Sequence, residues 1–361
     1  MKKLLFVTYT SDQKFTGGLQ CSKRNLESLQ AILGKDNVIV YTISKYSMEN
    51  PISSIIKRIK DILGGYMGGL DYNQVKLIMQ LIAENGITDI FIDSSLLGNL
   101  AKIVKRKYPE IVICTFFHNF EKKFIKDYLR VKKDYIRFYW YILAGNNEYN
   151  AVKYSDKIIC LNPRDSDDIF HAYRRVADSI IPITLKDSVK VPEDFLESDN
   201  RNALFIGSYF FGNVQGIKWF CENVLPNTDI TLTIVGASMD KFRDEVRCNP
   251  NLMIYSDVED LTPYYNNADF VVLPILSGSG MKVKTAESLM HGKYIIGTDE
   301  AFRGYEITNF EGKVCNSAEE FIQAINSLDL KYKFNKASRS LFNDKYCFES
   351  SLTKFREIIF E

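Results

Sequence analysis

The sequence predicts an α/β protein of two doubly wound, Rossmann-like domains facing across a cleft. Three observations predict it. Short apolar runs of strand length alternate with helix-length segments, as parallel sheets covered on both faces require. These runs form two series, separated by the polar stretch 186–200 (KDSVKVPEDFLESDN) with few bulky apolar residues. The chain has 361 residues, 46% of them hydrophobic and 25% charged, which is enough for two ordinary domains and excludes a disordered polymer.

In the first series, 3–8 (KLLFVT) reads as a buried strand, followed by a polar loop with Thr16-Gly17-Gly18 and a helix over 19–33. Strands are expected at 38–43, 90–93, 111–116 and 156–161, with helices at 96–107 and 163–173. The second series places strands at 203–206, 230–235, 251–255 and 268–273 and a helix at 214–223, then a glycine loop, a helix from about 282 and another strand running to Gly297, with 313–315 and 317–327 closing the domain. A last helix is expected at 348–360. The domains are therefore 1–185, a linker at 186–200, 201–344, and a C-terminal helix in 345–361 packing across the domain interface. Ligands of such sheets bind beyond the carboxyl ends of the strands.

Composition narrows the function. The seven cysteines are scattered and form no C-x-x-C pair, which points to a reducing compartment and away from a disulfide framework or structural zinc. The opening MKKLLFVTYTSD has too short an apolar run for a signal peptide, and no window reaches transmembrane length, so a cytoplasmic protein is expected. Net charge is +1 but unevenly shared. Residues 1–185 hold 27 Lys+Arg against 19 Asp+Glu, leaving 19 against 26 in the remainder. A basic half suits an anionic partner.

The densest chemistry lies in 273–297 (LPILSGSGMKVKTAESLMHGKYIIG). A strand ends at Pro274, a glycine turn follows, and Lys282, Lys284 and Glu287 fall on or beside the first turns of a helix. A helix start offers unpaired N–H groups and a positive dipole end, and two lysines beside it suit a diphosphate. Glu287 lies about one turn after Lys284, so both can face one ligand, the carboxylate accepting from ribose hydroxyls.

This run resembles the donor-binding motif of GT-B glycosyltransferases of family four, G-S-G-x-[KR]-x-K-x-x-E followed by a small-residue helix and G-K. The matching residues are Gly278, Ser279, Gly280, Lys282, Lys284, Glu287, Gly292 and Lys293, with Met281 inside the turn. Residues 205–226 (FIGSYFFGNVQGIKWFCENVLP) resemble the first strand, loop and helix of the family's donor domain, matching at Gly207, Ser208, Gly212 and Asn213. Asn213 also fits a helix N-cap. Gly236 resembles the next loop, and Ser256, Asp257 and Val258 the edge that reads the nucleobase. In the first domain, Gly17 and Gly18 resemble the family's glycine loop near diphosphate and acceptor. His118, just past the strand 111–116, occupies the place of a histidine at the sugar and acceptor. Two departures stand out. Ser279 takes the place of the first of two carboxylates spaced eight apart, and no Arg/Lys pair lies between Gly207 and Gly216.

The resemblance implies a GT-B glycosyltransferase with His118, Lys284 and Glu287 in catalytic roles and Lys284, then Lys282, neutralising the leaving diphosphate. It implies a UDP-, GDP- or dTDP-sugar donor and no tightly bound cofactor or essential metal. The acceptor it implies is a glycan, lipid-linked in bacterial surface polysaccharide synthesis, with retention of configuration. Asp165-Ser166-Asp167 reads as a helix first turn rather than a metal motif. Residues 52–63 and 120–141, the latter interleaving seven Lys/Arg with eight aromatics, suit either core packing or contact with the inner face of the plasma membrane. No nucleic-acid module is recognised. A non-catalytic partner subunit of a glycosyltransferase complex and a GT-B epimerase are the alternatives.

Overall fold

The computed structural model describes residues 2–9, 17–43, 59–133, 137–191, 196–247, 249–278 and 280–360. It divides into two units, Met1–Pro182 with Ser351–Glu361, and Ile183–Ser350.

Among the described residues, the first unit holds a six-stranded parallel sheet in the order β2-β1-β3-β4-β5-β6. Its strands are β1 (Leu4–Tyr9), β2 (Val38–Ile43), β3 (Asp89–Ile92), β4 (Val112–Phe117), β5 (Lys157–Cys160) and β6 (Ser179–Ile180). The helices are α1 (Gly17–Leu33), α2 (Tyr72–Asn85), α3 (Gly98–Lys107), α4 (Glu121–Lys132), α5 (Phe138–Tyr154) and α6 (Pro163–Tyr173). Central strands are buried on both faces: Leu4, Leu5, Phe6 and Val7 are at most 1% exposed. The edge strand β2 instead alternates buried and open positions, as a half-covered strand should. Because β1 lies between β2 and β3, successive connections leave it in opposite directions. A crevice is expected at the carboxyl ends of β1 and β3.

Local signals explain the helix ends. Asn162 caps α6 by accepting from Asp165 N–H at 3.0 Å, with Pro163 in the first turn. The helix α2, absent from the sequence expectation, starts where Asp71 accepts from Gln74 N–H at 2.7 Å and stops at the left-handed Gly86.

The second unit has the same plan, ordered β12-β11-β10-β7-β8-β9. Its strands are β7 (Asn202–Ile206), β8 (Thr231–Gly236), β9 (Leu252–Ser256), β10 (Phe270–Leu273), β11 (Tyr294–Gly297) and β12 (Gly312–Val314). The helices are α7 (Phe211–Asn223), α8 (Thr262–Asn267), α9 (Val283–Met290), α10 (Ala318–Asn326), α11 (Lys336–Leu341) and α12 (Phe348–Phe360). Here the order reverses between β7 and β10, so their carboxyl ends flank this unit's crevice. The stretch expected as a linker is counted with this unit. Arg339 pairs with Asp187, Glu197 bridges Tyr332, and Ser198 Oγ donates to Asp269 at 2.9 Å.

The chain passes back to the first unit within α12. Phe355 is fully buried there, 6.3 Å from the Phe91 ring, with the Arg24 guanidinium 5.2 Å above it. Lys157 and Lys2 donate to the carbonyls of Ile358 and Ile359 at 2.7 and 2.5 Å. These lysines satisfy the open carbonyls at the negative end of the helix.

Gly98 lets α3 and α5 touch backbone to backbone: a Cβ there would lie 1.9 Å from Asn147 O and 2.6 Å from Ala151 N. Gly98→Ala is therefore expected to lower the midpoint of the first unfolding transition in urea, costing about 1–3 kcal/mol or more. An unchanged midpoint would refute that packing.

Candidate functional site

In the second unit the reading starts from two glycines. Gly207 follows β7 and Gly236 ends β8. A Cβ on Gly236 would stand 1.9 Å from Gly207 O, so only glycine admits this approach. A Cβ on Gly207 would meet Lys284 Nζ at 2.9 Å and Asn213 Nδ2 at 3.0 Å. The side chain missing at 207 is thus the space the Lys284 ammonium occupies.

Lys284 is the second residue of α9. Its Nζ donates to Asn213 Oδ1 at 2.6 Å and lies 4.6 Å from the Phe205 ring centroid. The amide Nδ2 of Asn213 donates to Ser208 O at 2.9 Å. Asn213 is therefore not the cap of α7, which begins at Phe211 after Phe210; it joins the loop after β7 to the lysine. Burial pushes the Lys284 ammonium down to about 7; the Glu287 carboxylate opposes that shift and the Lys282 charge adds to it. The hydrogen-bond partner of this cation is a neutral amide, so its charge is poorly matched by what holds it.

The glycine turn lies at the end of β10. Gly278 and Gly280 have φ of 148° and 65°, where an L side chain is strained. Ser279 lies outside the described residues. Met281 is 7% exposed and packs inward, leaving its backbone as what it can offer. Lys282 is the N-cap residue of α9 and makes no side-chain cap, so the first N–H groups of the helix are not taken by its side chain. Its Nζ donates to Glu300 Oε1 at 2.7 Å and Gly280 O at 2.9 Å. Glu300 gave no signal in the sequence, because it arrives from the loop after β11. Glu287 lies on α9, half-buried, close enough to act on Lys284 and Tyr265 electrostatically. Ser256, at the carboxyl end of β9, donates to Asp257 at 2.6 Å and Asp240 at 3.1 Å, and Val258 is half-buried.

The first unit gathers a different set at its own crevice. His118 follows β4, and its Nε2 lies 2.9 Å from Asp93 O and 3.3 Å from Asp93 Oδ1. Asp93 is fully buried just past β3, where Asn25 Nδ2 donates to it at 2.8 Å and Thr8 Oγ1 at 3.0 Å. His118 Nδ1 is buried without a hydrogen-bond partner among the described residues. Burial opposes charge on the imidazole, but the Asp93 carboxylate and the neighbouring Cys21 outweigh it and hold His118 well above its ordinary value. Asp93 and Cys21 were not legible as site residues, since neither belongs to a motif. Glu121 is buried beside this group and its carboxyl is pushed up by burial, while Asn119 donates to it at 3.2 Å. Gly17 starts α1, and a Cβ on Gly18 would meet nothing within 4 Å, so no close approach requires glycine there. Thr16 lies outside the described residues.

The basic aromatic segments divide between core and surface. Ile125, Leu129 and Ala144 form a buried cluster with Phe124, Tyr128, Trp140 and Tyr141 packed on it. Phe138 and Ile142 are more than half exposed. Of residues 52–63, those from 59 onward are described, with Leu63 82% exposed; Tyr135 of the second segment lies outside the described residues. Asp165 sits buried in the first turn of α6, its carboxylate accepting from Asn162 at 2.7 Å. Among the described residues no helix is long and apolar enough to cross a membrane, and no three His, Cys, Asp or Glu side chains are grouped to hold a metal ion.

Comparison with known proteins places this geometry. Residues 200–329 match the family model described as glycosyl transferases group 1. A curated relative, an uncharacterized 44.6 kDa protein in the cps region of Klebsiella pneumoniae, is 23% identical over 184 residues. That match covers 42% of this chain and 47% of the relative, so the chain spans about half the length of the curated protein it matches. Among solved structures, Anabaena HepE in complex with UDP and glucose superposes with a TM-score of 0.64 at 11% identity, covering 99% of both chains. The lipopolysaccharide outer core galactosyltransferase WaaB gives 0.68 at 12%, covering 99% of both. Sucrose-phosphate synthase from Thermosynechococcus elongatus gives 0.72 at 13%, covering 99% of this chain and 98% of that one. The two parallel sheets with their helices match the GT-B fold of these glycosyltransferases, as the sequence led one to expect.

The pairing of His118 with Asp93 can be read directly, because the chain has only three histidines. Asp93→Asn is expected to lower the NMR titration midpoint of His118 by about one to three pH units, since burial then acts without the opposing carboxylate. A midpoint that does not move would refute the coupling.

Proposed function

From the premise that this is a GT-B protein resembling the group 1 glycosyl transferases, we propose that it moves a sugar from a nucleoside-diphosphate sugar to a hydroxyl of a glycan acceptor. The observation that carries this reading is the Lys284 ammonium. It is half-buried, hydrogen-bonded to a neutral amide, and set beside a helix N-terminus and a glycine turn. A site of that kind favours a dianionic phosphate group over any neutral ligand. The second unit then holds the donor, with Gly207, Ser208, Gly236, Gly278 and the 280–282 backbone around the diphosphate. Glu287 accepts from the ribose hydroxyls, and Ser256 and Val258 border the base. UDP-sugars are the first donors to test, because HepE is known in complex with UDP.

In the reaction the acceptor oxygen bonds to the anomeric carbon as the bond from that carbon to the diphosphate breaks. The acceptor proton passes to the leaving phosphate, on the same face, with retention of configuration. Lys284 and the α9 N–H groups stabilise the charge that develops on the leaving group, an interaction stronger in the transition state than in the ground state. His118, charged near neutrality, donates through Nε2 to Asp93 and has Nδ1–H left to donate to a sugar or acceptor oxygen. The acceptor is a lipid-linked glycan of surface polysaccharide synthesis, a reading supported by the relative in a cps region. The exposed Phe138, Ile142 and Leu63 among basic neighbours suit contact with an anionic membrane surface.

Lys284→Ala and Glu287→Ala are expected to weaken donor use, and His118→Ala to cut turnover more than donor binding, in assays of nucleotide release. Full activity in all three would contradict the site. A pH test follows from the lysine. With a free pKa of about 7, Lys284 is only partly charged at neutrality, and a bound diphosphate raises its pKa. Binding then takes up protons: the lysine's contribution to affinity is constant below about pH 7 and falls as pH rises toward the bound-state value. Calorimetry of UDP binding should show this slope from pH 7 to 9. Lys284→Met should bind roughly 10- to 100-fold more weakly at pH 7, as loss of a charged hydrogen bond implies, with the slope abolished. Equal affinity and no slope would contradict the assignment.

A further inference from the structure

We propose that Glu300 is a specificity residue that reads hydroxyls of the donor sugar, an inference that rests on the second unit's being the donor site. Glu300 lies three residues past β11, at the same carboxyl edge of the sheet as the glycine turn. The two loops are stitched together: Thr298 N–H donates to Leu273 O at 3.2 Å and Thr298 Oγ1 to Ile275 O at 2.6 Å. Tyr305 Oη, on the same loop, donates to Lys282 O at 2.7 Å. The effect is to bring Glu300 Oε1 within 3.8 Å of where a side chain on Gly278 would begin. Gly278 and Gly280 have no side chain, so among the described residues the carboxylate and its lysine stand close beside the Gly278 backbone.

The electrostatics fit a polyhydroxy ligand attached to a diphosphate. A bare carboxylate near two phosphates would repel them. Here the carboxylate accepts from Lys282 Nζ at 2.7 Å, and Arg303 Nη1 lies 3.6 Å from its other oxygen. One negative and two positive groups tolerate an anionic neighbour, yet the carboxylate remains an acceptor for hydroxyl donors. The Arg303 side chain is 3% exposed and that of Glu300 18%, so the guanidinium supports the carboxylate from beneath while an edge of it meets solvent. Such a group is held in place before the ligand arrives. Lys282, committed to Glu300 and Gly280 O, then positions the carboxylate, and Lys284 is left as the principal phosphate cation.

The test compares a nucleoside diphosphate with its sugar conjugates on the full chain. Affinities for UDP and for UDP-glucose, UDP-galactose and UDP-N-acetylglucosamine are measured for wild type, Glu300→Gln and Glu300→Ala, with melting temperatures recorded. UDP affinity is expected to stay within about twofold of wild type, while the preferred UDP-sugar weakens about tenfold, the effect of one lost hydrogen bond to a charged group, and the ranking of sugars flattens. If Glu300→Gln keeps the wild-type sugar affinities and ranking, the proposal is wrong though the nucleotide site stands. If UDP weakens as much as its sugars, Glu300 merely latches the turn and the proposal is again wrong. If wild type binds no UDP, GDP or dTDP and none of their glucose conjugates, the donor reading itself fails and takes this inference with it.

Discussion

The crevice of the second unit is built around the Lys284 cation, whose hydrogen bond goes to a neutral amide. Two strand ends approach so closely that Gly236 has no room for a side chain against the Gly207 carbonyl, and the Lys284 ammonium lies where a side chain on Gly207 would begin. Asn213 then holds that ammonium with one end of its amide and the loop after β7 with the other. Gly216 extends the same logic: a Cβ there would lie 1.8 Å from Pro274 O, so α7 rests directly on the loop after β10. A charge held in this way costs desolvation free energy, which an anionic ligand can return. Burial lowers Lys293 to about 7 as well, where it donates to the carbonyls of Ala268 and Lys333, so what sets Lys284 apart is its place beside the glycine turn and the start of α9.

The first unit solves a related problem with the opposite sign. A fully buried carboxylate, Asp93, stands at the reversal of the sheet order and is satisfied by Asn25, Thr8 and His118. The imidazole it holds carries the charge. Its Nδ1 is buried on the side of Cys21, without a hydrogen bond of ordinary geometry among the described residues. Each unit thus places one charged donor at the carboxyl edge of its sheet, fixed by residues distant in sequence.

Strand positions were largely readable because a parallel sheet covered on both faces writes itself as short unbroken apolar runs. Leu4–Val7 and Phe270–Leu273 are of this type, and the expected ends fell within a residue or two. The helix α6 was readable to the residue because Asn162-Pro163 is a strong start. In the site, the motif located the turn, Lys284 and Glu287 without showing how they are held. What stayed hidden depended on contacts across the chain. Asn213 looked as much like a cap as a site residue until Lys284, 71 positions away, was seen on its amide. Lys282 looked like a phosphate ligand, but its charge is already engaged by Glu300 from 18 positions away. Glu148 leaves no trace in the local pattern either, yet from α5 it accepts from Glu121 N–H at 2.6 Å and so caps α4 next to His118. Two-residue β6 carries too little periodicity to be seen.

The most direct test is to watch the Lys284 side chain itself by lysine-selective NMR, titrated with and without UDP. The expected result is a resonance assigned by its loss in Lys284→Met, with a midpoint near pH 7 in the free protein that moves upward when UDP is bound. A midpoint near that of an ordinary lysine, unmoved by any nucleoside diphosphate, would contradict the claim that this ammonium is the phosphate-binding group.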